Sequence, residues 1–278
     1  MSDDALQAAR DWWRTDIVDM TPGSIRFRGY PIEQLIGNID FPQMIWLMIR
    51  GEVPSRRQAD LLGAALVAGV DHGPHAPTIA IARMAMTCGI GINNAMASAA
   101  NVFGDVHGGA GEQSMEIYAD IAARQERGES LPAATIAVLD AFQATVSRFV
   151  PGFGHRFHPR DPRGPRLLAL VDEAAREGVV SGRFAAIGRE VEAQLERRTG
   201  KHLTMNIDGS TAVIFSELGF PPKVGRGLLL LSRSVGILAH AWEQHQQGGR
   251  NKGPIPPEFL YSYGGPPPRD LVPEGTDD

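Results

Sequence analysis

Four short polar breaks interrupt a largely apolar chain, and they hold the residues best suited to acid–base work. They are Asp71-His72, His107-Gly108-Gly109, Gly154-His155-Arg156 and Asn206-Ile207-Asp208-Gly209. The densest stretch runs from Val150 to Arg163 and reads VPGFGHRFHPRDPR. Gly152 and Gly154 flank Phe153, so the backbone there can approach a ligand closely. His155 follows, then Arg156, Arg160 and Arg163, with Pro159 and Pro162 stiffening the run. One histidine beside several guanidiniums suits an anionic substrate whose carbonyl or hydroxyl must be polarised. A solvated basic loop between two helices is the plain alternative for this stretch taken alone. Three histidines and one aspartate at helix ends could converge on a single cleft, as catalytic groups on loops often do.

Competing chemistries fit less well. His72-x-x-His75 and His155-x-x-His158 have spacings a metal could use, but proline interrupts both regions and no cysteine stands beside them, so no metal is expected. No G-x-S-x-G is present for a serine hydrolase. Gly108-Gly109 lacks the lysine and hydroxyl of a phosphate-binding loop. His202, His240 and His245 read as hydrogen-bonded residues at helix termini. Asp208 could serve only as the N-cap of a helix around Thr211 to Leu218.

These groups must be positioned by helices. Residues 3–13 read as a short helix ending in paired tryptophans, and Ser24 to Tyr30 alternates as a strand or hairpin arm. Pro31 opens a short helix bounded by Gly37, and residues 42–51 form another closing at Gly51. Ser55-x-x-Gln58 is a capping box for a helix that ends at Gly69. Residues 78–103 carry a small-residue helical pattern rich in Ala, Met and Ile, fit for close packing or a subunit interface. Ile136, Leu139, Phe142, Val146 and Phe149 line one face of a helix that Pro132 can start. Two more helices run through Leu167 to Ala175 and through Phe184 to Leu195, the second stopped by Gly200. Residues 223–246 form the longest, and the tail from Gly253 is irregular. The fold class is all-α.

Composition limits the partners. The 278 residues carry a formal net charge of −5, so no nucleic-acid footprint is expected over the surface. Cys88 is the only cysteine, which excludes an intrachain disulfide and fits a reducing, cytoplasmic setting. The start lacks the pattern of a signal peptide, and the apolar run from Leu228 to Ala241 is interrupted by Arg233 and too short for a bilayer. The expectation is a soluble protein with no membrane partner.

The order of these motifs resembles the citrate synthase superfamily. RGYPIEQLIG, FPQMIWLMIRGEVPS, VDHGPHAPT, GDVHGGAGE, PGFGHRFHPRDPR, NIDGSTAVIFSELGFP and LSRSVGILAHAWEQ follow one another in family order. The chain is shorter than a full-length synthase, and Gly69 stands where synthases usually carry a histidine. DHGP, NIDG and the ending YSYGGPPPRDL are similar to citryl-CoA lyase and the related module of ATP-citrate lyase, whereas His107 in HGGA is synthase-like.

The resemblance implies a citrate-synthase-like fold, with residues 1–111 and 212–278 in a large helical domain and 112–211 in a smaller one that closes over the cleft. It also implies a homodimer. Asp208 matches the family's base, His107 the donor to the thioester oxygen, and His155 the group that polarises the keto oxygen of oxaloacetate. His72, Arg163 and Arg233 match substrate-binding positions. Val150, Gly152, Phe153 and Gly154 match the segment that cradles coenzyme A, which enters as an acyl-CoA substrate. The arginine that synthases supply from the partner subunit has no clear match, and Arg250 is a candidate substitute. The implied activity joins or cleaves citryl-CoA, acetyl-CoA and oxaloacetate. A short citrate or 2-methylcitrate synthase, or a catalytically weak acyl-CoA-binding paralogue, is the alternative.

Overall fold

The computed structural model describes residues 2–154, 161–256 and 258–271. Helix α1 (Asp3–Trp12) is capped by the Ser2 hydroxyl and buries none of its residues. A three-stranded antiparallel meander follows: β1 (Val18–Thr21), β2 (Ser24–Phe27) and β3 (Tyr30–Pro31), with Val18 opposite Phe27 and Arg26 opposite Pro31. The alternation at Ser24–Tyr30 marks β2 and its turn into β3, while β1 carries only four residues and no comparable pattern. Arg28 adopts a positive φ at the turn, and its guanidinium donates to the Met48 carbonyl at 2.8 Å, tying the meander to the helices.

The helices begin and end where side-chain chemistry directs. Pro31 belongs to β3 and caps the short α2 (Ile32–Leu35). Asp40 and Gln43 form a capping box for α3 (Phe41–Arg50), which Gly51 closes in the left-handed conformation. Ser55 and Gln58 form the second box, on α4 (Arg56–Gly69). The stretch 78–103 is two helices, α5 (Pro77–Met86) and α6 (Ile92–Ala100). Gly89 takes φ +83 between them and Gly91 caps α6, a turn that the alanine-rich pattern conceals.

Then come α7 (Ala110–Glu126), α8 (Leu131–Thr145), α9 (Arg163–Arg176) and α10 (Arg183–Thr199), the last closed by Gly200. Helix α8 buries only part of the expected face, through Leu139 and, partly, Phe142. It ends before Val146, and Ile136, Val146 and Phe149 are exposed, while Ala134, Thr135, Val138 and Leu139 are buried. Small residues let α8 lie close to α7 and α10, so its buried stripe escapes a search for large apolar side chains.

The centre of the molecule is α11 (Ile207–Glu217), in which Ile207 and every residue from Gly209 to Ser216 are buried. It packs against α4, α7, α9 and α10. Helix α12 (Pro222–Gln247), the longest, crosses α4, α5, α6 and α7. No helix among the described residues is long and apolar enough to cross a membrane.

Helices α4 and α12 meet at two glycines. A Cβ on Gly69 would lie 2.7 Å from the Ser232 hydroxyl, and one on Gly236 would collide with the Val70 carbonyl and sit 3.1 Å from Asp71 Oδ1. Gly227, on the same helix, has nothing within 4 Å of such an atom. Gly227→Ala therefore should raise the melting temperature, since alanine gains about 1 kcal/mol over glycine in a helix. Gly236→Ala should lower it despite the same propensity gain, and equal stabilisation by both would contradict this packing.

Candidate active site

A cavity of about 370 Å³ is lined by His72, His107, Asp208 and Arg233, together with Phe103 and Leu229. These four polar residues come from four places in the chain: the turn after α4, the loop before α7, the first turn of α11, and the middle of α12. Neither Arg163 nor Arg250 lines it. His155, with Arg156, His158 and Arg160, lies outside the described residues.

His107 is held by its own loop. The Gly104 N–H donates to the His107 carbonyl at 2.8 Å, Gly108 takes φ +81, and a Cβ on Gly109 would lie 2.8 Å from the Asp105 Cα. Its Nε2 lies 3.4 Å from the hydroxyl of buried Thr78, and its ring is 5.5 Å from that of Phe103. Burial lowers its pKa, and the nearby charge of Arg233 lowers it further. His107 is therefore a neutral imidazole at pH 7, able to donate one hydrogen bond without carrying charge.

Asp208 is not the cap of α11. Asn206 is: its Oδ1 accepts from the backbone N–H of Asp208 at 2.9 Å and of Gly209 at 3.3 Å. Asn206 also donates from its backbone to the Gly152 carbonyl at 2.9 Å and from Nδ2 to the Gly154 carbonyl at 2.7 Å. The Asp208 side chain is thus released from capping and turned to the cavity. The residue keeps some surface on the cavity side, yet burial of its carboxyl is the leading influence and raises the pKa. Arg233 and Arg163 pull it down and Asp161 pushes it up, with burial prevailing. A carboxyl held above its usual range is suited to exchange a proton with a weak carbon acid.

Arg233 is 7% exposed, and its Nε donates to the Gly69 carbonyl at 2.8 Å. Burial lowers its pKa, opposed by Asp208 and Asp71. Asp71 itself is held ionised: burial opposes its charge, but His240 and the Gly73 N–H outweigh that. His240 Nε2 lies 3.3 Å from the Asp71 carboxylate, so this histidine is not the helix-terminus residue expected from the sequence. It sits two turns inside α12 and braces the turn that presents His72.

Arg163, the first residue of α9, is placed differently from Arg233. Its Nε and Nη2 each donate to Asp161 at 2.9 Å, a two-point grip on a wholly buried carboxylate.

A second cavity, of about 770 Å³, is lined by Phe149, Val150, Phe153 and Gly154, with Leu195, Leu203, Arg148 and Lys201 completing it. Gly152 stands behind this wall, where a Cβ would lie 2.8 Å from the Gly209 Cα. Phe153 bridges to Met205, and the Gly154 N–H donates to the Thr204 carbonyl at 2.8 Å. Residues 152–154 and 204–206 are thus tied together, with Phe153 and Gly154 on the second cavity and Asn206 on the first. Arg148 and Lys201 escape a reading of the sequence, because each sits just outside a helix end near glycine or proline and belongs to no motif. A third groove, of about 680 Å³ between α7, α8 and α12, holds none of the candidate residues. Several of its charges already pair with one another, as Lys223 does with Glu112 at 3.0 Å.

The family model described as "Citrate synthase, C-terminal domain" matches residues 9–67 and 54–255. The chain belongs to the citrate synthase family. The solved structure of citryl-CoA lyase from Hydrogenobacter thermophilus is similar with a TM-score of 0.81 and 30% identity, covering 94% of this chain and 97% of that one. The ATP citrate lyase of Methanothrix soehngenii, solved with citrate and coenzyme A, shares the fold at a TM-score of 0.75 and 18% identity, over 95% of this chain and 45% of its own. The citrate synthase of Acidithiobacillus ferridurans is 27% identical over 200 residues, 71% of this chain and 50% of that protein. The chain spans about half the length of such curated relatives.

Arg233 influences two titrations in the cavity, with a shared sign. It favours the charged form of Asp208 and disfavours the charged form of His107. Arg233→Gln should therefore raise both pKa values, as followed by carboxyl and imidazole NMR titration. A fall in either would contradict the geometry.

Proposed function

We propose that this protein is a citryl-CoA lyase-like enzyme that breaks or makes the bond between the methyl carbon of acetyl-CoA and the keto carbon of oxaloacetate. The observation that carries the reading is the meeting of His107, Asp208 and Arg233, from three separate elements, around one cavity. The likeness to a citryl-CoA lyase over nearly the whole of both chains supports it.

In the condensation direction Asp208 takes a proton from the acetyl-CoA methyl group, and neutral His107 donates to the thioester oxygen as the enol forms. A neutral donor matches an enol better than a full cation, because little charge then has to be separated in a buried site. Arg233 holds a substrate carboxylate through the part of its fork not engaged by Gly69, and His72 hydrogen-bonds the oxo-acid. His155, by family resemblance, polarises the keto oxygen. In cleavage the roles reverse: His155 accepts the hydroxyl proton of citryl-CoA, the carbon–carbon bond breaks, and Asp208 delivers a proton to the enol carbon. Arg163 already spends two of its donors on Asp161 and does not line the cavity, so Arg233 is the principal anion site.

Coenzyme A is assigned to the larger cavity. Its apolar wall of Phe149, Phe153, Leu195 and Leu203 suits a flat base, and Arg148 and Lys201 suit phosphate. The assignment of residues 112–211 to a smaller domain that closes on 1–111 and 212–278, and of the protein to a homodimer in which Arg250 replaces a partner arginine, belongs to the same proposal. Arg250 lies in the exposed segment after α12. A compact citrate or 2-methylcitrate synthase is the second reading, favoured by the curated citrate synthases among its relatives.

Incubation with citryl-CoA, measuring acetyl-CoA, oxaloacetate, citrate and free CoA separately, tests the reading. Acetyl-CoA and oxaloacetate without citrate are expected; citrate with free CoA would establish the synthase instead. Asp208→Asn should reduce kcat by about 10²-fold or more, with CoA affinity nearly unchanged. Because the pKa of Asp208 is raised, condensation should fall as pH drops through that value, where the base is protonated. Cleavage should fall as pH rises through it, where the acid is lost. Limbs of the opposite sense would assign the proton transfer to another group.

A further inference from the structure

Asp161 performs no step in the reaction just described, yet it is wholly buried and its carboxylate is saturated with donors. Its Oδ1 accepts from the Arg163 backbone N–H at 3.0 Å and from Arg163 Nε at 2.9 Å. Its Oδ2 accepts from Arg163 Nη2 at 2.9 Å and from the Ile207 N–H at 3.0 Å. Arg163 in turn reaches the Ala68 carbonyl through Nη1 at 3.4 Å. One carboxylate thus joins the start of α9, the end of α4 and the start of α11.

The contact with Ile207 matters most. Ile207 is the first residue of α11, and the N–H groups of a helix's first turn have no partner within the helix. Asn206 satisfies those of Asp208 and Gly209, and Asp161 satisfies that of Ile207. The backbone on both sides of the Asp208 side chain is therefore pinned by side chains from outside the helix. We propose that Asp161 is a positioning residue: gripped by Arg163, it anchors the Ile207 N–H and so sets where the Asp208 carboxyl stands in the cavity. This rests on the citryl-CoA reaction proposed above.

The charges around Asp208 point the same way. It faces Arg233 from α12, Arg163 and Asp161 from the start of α9, and His72 and His107 around the cavity. Asp161 is held ionised, its burial outweighed by the bonds from Arg163 and Ile207, so it also offsets the Arg163 charge that Asp208 would otherwise feel. Loss of Asp161 both loosens Asp208 and exposes it to a bare cation.

Two variants separate these effects. Asp161→Asn keeps the shape but replaces one acceptor oxygen with a donor and removes the charge. Ile207→Pro, at a first-turn position that tolerates proline, replaces the anchored N–H by a ring carbon that pushes Asp161 Oδ2 away, so it breaks the anchor from the helix side while Asp161 keeps its charge beside Arg163. Both should lower kcat for citryl-CoA cleavage by about tenfold or more while KM stays within about threefold. Asp161→Asn alone should also move the alkaline limb of kcat to lower pH, because a negative charge beside Asp208 has gone. Amide exchange should show the Ile207 N–H protected in the wild type and released by Asp161→Asn.

Unchanged kcat in both variants, with only a lower melting temperature, would make Asp161 merely structural and overturn the proposal. A lowered KM with intact kcat would overturn it too, by showing that Asp161 merely competes with substrate for Arg163. If the wild type does not turn over citryl-CoA, the reaction is wrong, and amide exchange still decides the anchoring: an unprotected Ile207 N–H overturns it. If Asp161→Asn does not fold, kcat of Ile207→Pro and amide exchange of the wild type decide between the same two outcomes.

Discussion

The site depends on the burial of a helix end. Helix α11 lies inside the molecule, so the unpaired N–H groups of its first turn cannot turn to water. They are met by Asn206 and Asp161, so the Asp208 carboxyl is not spent on capping. Asp208 is the acid in that turn left over for chemistry. Gly152 approaches Gly209 closely, so the backbone that leads into Phe153 and Gly154 of the second cavity packs against the same turn.

The electrostatics follow from this placement. A carboxyl at a helix N-terminus ordinarily gains from the helix dipole and keeps a low pKa. Here burial overrides the dipole, and the fields of Arg233 and Arg163 only moderate the rise. The same burial, with Arg233, keeps His107 neutral. One cation thus favours the ionised form of the Asp208 carboxyl and the neutral form of the His107 imidazole, the pairing that the proposed enol chemistry uses.

Much of this was legible in the sequence because it is written in residues that break helices or cap them. The capping box at Ser55 and the stops at Gly51 and Gly200 follow from local chemistry, as does the polar break at His107-Gly108-Gly109. His72, His107, Asp208 and Arg233 could be singled out because charges and histidines at such breaks, or inside so apolar a helix, need a reason. What could not be read depends on distant segments. Asp161 in Asp-Pro-Arg looks like an exposed turn until α4, α9 and α11 close over it, and the same packing binds Arg163 to it. The buried stripe of α8 is small-residued, and the break at Gly89 hides in a run of good helix formers. Arg148 and Lys201 converge only when residues about fifty apart fold together.

The central claim is that Asp208 exchanges a proton with the carbon that becomes the acetyl methyl group. Cleavage of citryl-CoA in deuterium oxide, with the methyl group of the released acetyl-CoA examined by NMR or mass spectrometry, tests it most directly. The account predicts one deuteron per acetyl-CoA formed by the wild type, and formation of that product slowed by about 10²-fold or more in Asp208→Asn. Monodeuterated acetyl-CoA formed equally well by that variant would contradict it.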